Sequence, residues 1–147
     1  CWSLGSFFYG LLVNKINNKK KIVIFSALIL IFLLLILLSS TNLSFYYAVL
    51  LFGSIGFVGA FTLVVISQYR SLFSSNLIGK VLTTANFFNF LGVFFVQWTT
   101  GLIMHLSKTV VSFSNKNSFI LAFIAVVIYL LISIYFYLKI DDKSKYE

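Results

Sequence analysis

The chain has no proline, a single cysteine and only three acidic residues among its 147, and each shortage excludes something. Without proline it lacks the commonest device for kinking a helix, so bends must come from glycine or from polar insertions. With Cys1 alone there can be no internal disulfide and no thiol pair for zinc, which removes stapled secreted modules and cysteine metal sites. The acids Asp141, Asp142 and Glu147 all fall at the C-terminal end, so no carboxylate pair is available earlier for acid–base chemistry. His105 is the one histidine, with no second ligand near it in sequence to share a metal. No Walker loop, no nucleophile elbow and no Ser-His-Asp set is present. An enzyme is therefore not expected, and neither is a cofactor or a metal.

What is present is apolar. Hydrophobic residues make up 61% of the chain, aromatics 19% and charged residues 10%, against about a quarter charged in soluble domains. This composition excludes a soluble globular domain and a disordered tail, and it points to an all-α, polytopic membrane protein.

A spanning helix needs about 20 apolar residues to cross roughly 30 Å of hydrocarbon. Residues 22–38, 44–67, 77–104 and 118–138 meet that demand, and residues 1–13 read as the tail of a further helix. Because Cys1 lies in an apolar stretch already under way, the sequence is expected to lack an N-terminal part. Residues 22–38 are apolar on every side, which suggests lipid around much of their girth. No alternation of polarity supports a β-barrel, and no charged heptads support a coiled coil.

The formal charge of +8 reads as topology. Lys15, Lys19, Lys20, Lys21, Arg70, Lys80, Lys139, Lys143 and Lys145 would share one side, whereas only Lys108 and Lys116 fall on the other. Positive residues favour the cytoplasm, so that side and the tail 139–147 are expected inside. A nucleic-acid site at Lys19–Lys21 is the rival reading, and no nucleic-acid partner is expected.

Polar residues inside the spans carry the remaining information. In 77–104, Asn86, Asn89, Gln97 and Thr100 fall within roughly 80° of one another at about 100° per residue. An amide without a partner in hydrocarbon costs several kcal/mol, so this stripe must meet other helices or a wet pathway. It is read either as a substrate lining or as interhelical contacts, and the neighbouring Trp98 either stacks on a ligand or packs. Gly53, Gly56 and Gly59 suit close helix approach rather than phosphate binding. His105 reads as an interfacial residue, Cys1 as inert, and the Asn42–Ser44 sequon as too close to the membrane to matter.

Read in order, the loops resemble the major facilitator superfamily of secondary transporters. That family's loop signature, G-x-x-x-D-[R/K]-x-G-[R/K]-[R/K], is similar to the run from Gly10 to Lys21: Gly10, Lys15, Lys19 and Lys20 match, with one residue more between the basics. Asn14 stands in place of the aspartate, and Asn17 or Asn18 in place of the glycine. Arg70, Phe73, Gly79, Lys80, Asn86, Gly92 and Gly101 resemble the loop before the family's eleventh helix and that helix itself; the Pro-Glu frequent there is replaced by Ser74-Ser75-Asn76. The resemblance implies the end of the eighth helix through the twelfth, a partial C-terminal half of a two-half, alternating-access fold. It implies that 77–104 lines the central cavity, that 22–38 and 118–138 face lipid, and that the lysines near Asn14 latch helix ends. Gly92 and Gly101 would then join the glycines at helix contacts.

The expected function is secondary transport of a small solute. A non-transporting scaffold or assembly subunit is the alternative. The expected partners are the bilayer, the missing N-terminal part of the same transporter, and a neutral or zwitterionic solute. Richness in Lys, Asn, Ile and Phe suggests an AT-rich genome and a bacterial cytoplasmic membrane.

Overall fold

The structure, a computed structural model, describes residues 1–16, 18–40, 44–110 and 114–139. They form six helices and no strand: α1 (Trp2–Lys15), α2 (Lys19–Ser39), α3 (Phe45–Gly59), α4 (Thr62–Leu72), α5 (Ile78–Thr109) and α6 (Asn115–Leu138). Asn17, Asn42 of the sequon, and the tail from residue 140 with Lys143, Lys145 and all three acids lie outside the described residues.

Among the described residues four stretches are long and apolar enough to cross a membrane: Lys19–Ser39, Phe45–Leu72, Ile78–Thr109 and Asn115–Leu138. The chain is a helical membrane protein. At about 1.5 Å per residue, α2 is roughly 32 Å long and matches the hydrocarbon thickness. Its start is set by Asn18, whose side-chain oxygen accepts from the Lys21 amide at 3.1 Å and satisfies one of the orphan donors of the first turn.

The span expected as one helix over 44–67 is two helices in line, and it continues to Leu72. After Gly59 the α-helical ladder gives way to tighter bonds. Ala60 N donates to Phe57 O at 3.3 Å, Phe61 N to Val58 O at 3.0 Å, and Val64 N to Phe61 O at 2.9 Å. This turn of 3₁₀ character interrupts the span without proline. It is packed rather than loose, since Ala60 and Val64 have no exposed surface.

Of the four spans α2 is the most enclosed, with 33% of its most apolar stretch buried, and it packs on α3, α4 and α6, so less of its girth is open than its hydropathy alone suggests. Ile22, Val23, Ala27, Ile31 and Leu34 are buried, and only Phe25, Leu28, Phe32 and Leu35 form an outward stripe. The reason is physical: lipid tails and neighbouring side chains are equally apolar, so hydropathy does not tell one from the other.

Around α2, α1 packs on α3 and α4, while α6 packs on α2 and α5. One core cluster joins Tyr9, Ile22, Val23, Ala60 and Val64, and a second joins Ile31, Leu34 and Val127. The antiparallel order brings the C-terminal ends of α1, α4 and α6 beside the N-terminal ends of α2 and α5. Lys15, Lys19, Lys20, Lys21, Arg70, Lys80 and Lys139 therefore share one end, here called the basic end, and Lys108 and Lys116 lie at the other.

Candidate functional site

The longest helix is the least covered. Within the most apolar stretch of α5 no residue is buried, and its main contacts run to α6 and, near its start, to α4. Val96, Thr99, Thr100, Ile103 and Met104 are half-buried and Ser107 is buried, which marks the row turned toward α6. Between residues 86 and 95 every side chain is exposed, including Phe87, Phe90 and Phe94.

The four polar residues of the stripe part company here. Asn86, Asn89 and Gln97 are exposed, and their side chains form no hydrogen bond with any described residue. Asn86 and Asn89 are one turn apart; Gln97 lies about 16 Å along the axis from Asn86. Thr100 instead belongs to the row turned toward α6, and its hydroxyl donates to Val96 O at 2.7 Å within its own helix. Trp98 is 56% exposed and makes no hydrogen bond with a described residue. Asn89 also stands at the edge of an open groove of about 460 Å³ between α4 and α5, walled by Tyr69, Phe73, Lys80, Thr84 and Phe88. Each of the three amides can donate two hydrogen bonds and accept two, so the face suits an uncharged or zwitterionic polar group.

At the basic end the loop lysines divide by role. Lys19 Nζ donates to Ser67 O of α4 at 3.2 Å, and Lys20 Nζ donates to Leu138 O at the end of α6 at 2.9 Å. Three ammonium groups at the N-terminus of α2 oppose its own dipole, and the carbonyl ends of antiparallel neighbours offset that cost. Asn14 and Lys15 are exposed at the end of α1, and Gly10 has open space where a Cβ would be.

The glycines fall into two groups. A Cβ on Gly53 would come 3.3 Å from Cys1 Sγ, one on Gly56 3.9 Å from Cys1 Cβ, and one on Gly59 3.2 Å from the Trp2 ring, so this face receives the start of α1. Gly92 and Gly101 have nothing within 4 Å, and their helix faces carry no neighbour among the described residues. His105 is exposed, as is Cys1.

Three positions escape the sequence reading. A Cβ on Gly5 would collide with the Phe57 carbonyl oxygen and lie 2.9 Å from Ala60 Cβ, which makes Gly5 the tightest helix contact of all the glycines. Gln68, only 4% exposed, accepts from the Tyr137 hydroxyl and joins α4 to α6. Tyr9 donates to Ser26 Oγ at 2.7 Å and joins α1 to α2. A lone amide two residues before Arg70 was the available signal for Gln68, but hydropathy ends the span at residue 67. No family model, no curated protein and no solved structure matches this chain.

Proposed function

We propose that this chain is the C-terminal portion of a secondary transporter of the major facilitator type, which moves a small neutral or zwitterionic solute by alternating access. The observation that carries the reading is the unpaired amide face of α5. Three amides stand in the apolar middle of a membrane helix, where each unmade hydrogen bond costs several kcal/mol. A wet pathway, or the facing half of the transporter across that pathway, removes the cost.

In this reading α5 lines the cavity with Asn86, Asn89 and Gln97, and a solute exchanges its water for their amide groups. The packing of α1 on α3 and α4, around the buried turn at Ala60, supplies the rigid body that rocks against the other half. Lys19 and Lys20 tie α2 to α4 and α6, so the basic end moves as one piece. The basic end faces the cytoplasm, by the excess of positive residues there, and the membrane is a bacterial cytoplasmic membrane.

The test is uptake by the full-length protein in proteoliposomes, using a panel of labelled amino acids and neutral sugars. Asn86→Leu and Gln97→Leu are expected to lower uptake at least about tenfold with normal expression, since loss of one to two amide hydrogen bonds is worth about 1.5 kcal/mol or more. Unchanged uptake in both would favour a scaffold, in which the same amides bond to a neighbouring subunit.

A further inference from the structure

We infer that the trough between α1, α2 and α3 is a site for one anionic phospholipid, with its phosphate on Lys21 and an acyl chain laid along α2. The trough holds about 580 Å³ and is walled by Phe8 and Leu12 of α1, Phe25 and Ile29 of α2, and Phe57 of α3, with Lys21 in its lining at the basic end. Its polar wall atoms are already closed on each other, because the Tyr9 hydroxyl donates to Ser26 Oγ. What remains for an occupant is apolar surface with one cation at the mouth.

Charge assigns the head of that occupant. Lys19 and Lys20 spend their ammonium groups on Ser67 O and Leu138 O, whereas the Lys21 side chain donates to no described residue. No acidic residue occurs among the described residues to neutralise it. A second hollow of about 820 Å³ shares Ile29, Phe57 and Val58 with the trough and has no Lys or Arg in its wall. The lysine available to an anion in this pair of hollows is therefore Lys21.

Length assigns the tail. From Lys21 to Ile29 the axis of α2 advances about 12 Å, most of the roughly 15 Å that one leaflet contributes to the hydrocarbon. A Lys at a helix end can reach the headgroup level while its stem stays on apolar surface. An acyl chain starting at Lys21 thus runs beside Phe25 to Ile29. The site stands whether or not the protein moves a solute.

The experiment is native mass spectrometry of the intact protein titrated with dioleoylphosphatidylglycerol or dioleoylphosphatidylcholine, together with a phosphatidylglycerol bearing a diazirine on one acyl chain. Wild type is expected to hold phosphatidylglycerol about fivefold more tightly, the preference that one well-placed lysine supplies. Lys21→Gln should abolish that preference, Lys116→Gln should leave it, and the photolabel should map to α1 and α2 around Leu12 and Phe25. Equal retention of the two lipids, a preference that survives Lys21→Gln, or labelling confined to α5 and α6 would each overturn the site. Because the label map is read on the wild type, a poorly folding variant does not shield the proposal.

Discussion

The Lys20 ammonium donates to the backbone carbonyl of Leu138 at 2.9 Å, across 118 positions of sequence, and so joins the first turn of α2 to the last turn of α6. Lys19 does the same toward Ser67 on α4. Two adjacent lysines thereby occupy carbonyls on two different helices. The neighbouring Lys21 lines the trough between α1, α2 and α3 instead.

That division predicts unequal effects of three similar substitutions. Lys20→Met should lower thermal stability of the purified protein by up to about 1 kcal/mol, since the bond is solvent-exposed and its net worth is small. Lys21→Met should leave the melting temperature unchanged. Thermal melts in one detergent check both.

Gly5 makes a sharper prediction. Any side chain there meets the Phe57 carbonyl and Ala60, backbone and packed core that do not give way. Gly5→Val should therefore cost about 1–3 kcal/mol through overpacking. Gly10→Val, five residues on and with open space around it, should be neutral or slightly stabilising, since valine has the higher helix propensity. Equal losses at the two positions would mean that α1 does not pack on α3 as described.

The Gln68–Tyr137 pair is testable by a double-mutant cycle. Buried interhelical hydrogen bonds in membrane proteins average about 0.6 kcal/mol and reach about 1.7 kcal/mol. Gln68→Leu and Tyr137→Phe should each destabilise, and the double variant should lose less than their sum. Strict additivity would show that the two side chains do not interact in the folded protein.

Topology gives a fourth outcome. On a Cys1→Ser background, Lys116→Cys and Lys139→Cys should react with a membrane-impermeant thiol reagent from opposite sides. Lys139 should be reached only from the inside of an intact cell. Labelling of both from one side would break the helix order on which the basic end depends.

Much of the architecture was readable from the sequence because it rests on run length and charge. The membrane helices begin and end near the expected limits: Lys19–Ser39 against 22–38, Ile78–Thr109 against 77–104 and Asn115–Leu138 against 118–138. The break at Ala60 was not readable, because Gly53, Gly56 and Gly59 announce a close approach without saying that the ladder tightens there. The central place of α2 was hidden for a different reason: its Ile and Leu residues suit lipid and protein neighbours equally. At the site, periodicity put Thr100 with the amides, since an ideal helix shares out angles but not neighbours. The actual contact with α6 separates Thr100 from Asn86 and Gln97. Gln68 was missed at a span edge, where burial depends on a partner, Tyr137, far away in sequence.

The most direct measurement is aqueous accessibility along α5 in membranes that hold the full-length protein, again on a Cys1→Ser background. Asn86→Cys, Asn89→Cys and Gln97→Cys should react with a small hydrophilic thiol reagent, and a transported solute should slow the reaction. Phe32→Cys, on the outward stripe of α2, should stay unreactive. If the three α5 positions are as inert as Phe32→Cys, the amide face is a dry helix contact and the transport pathway proposed for it does not exist.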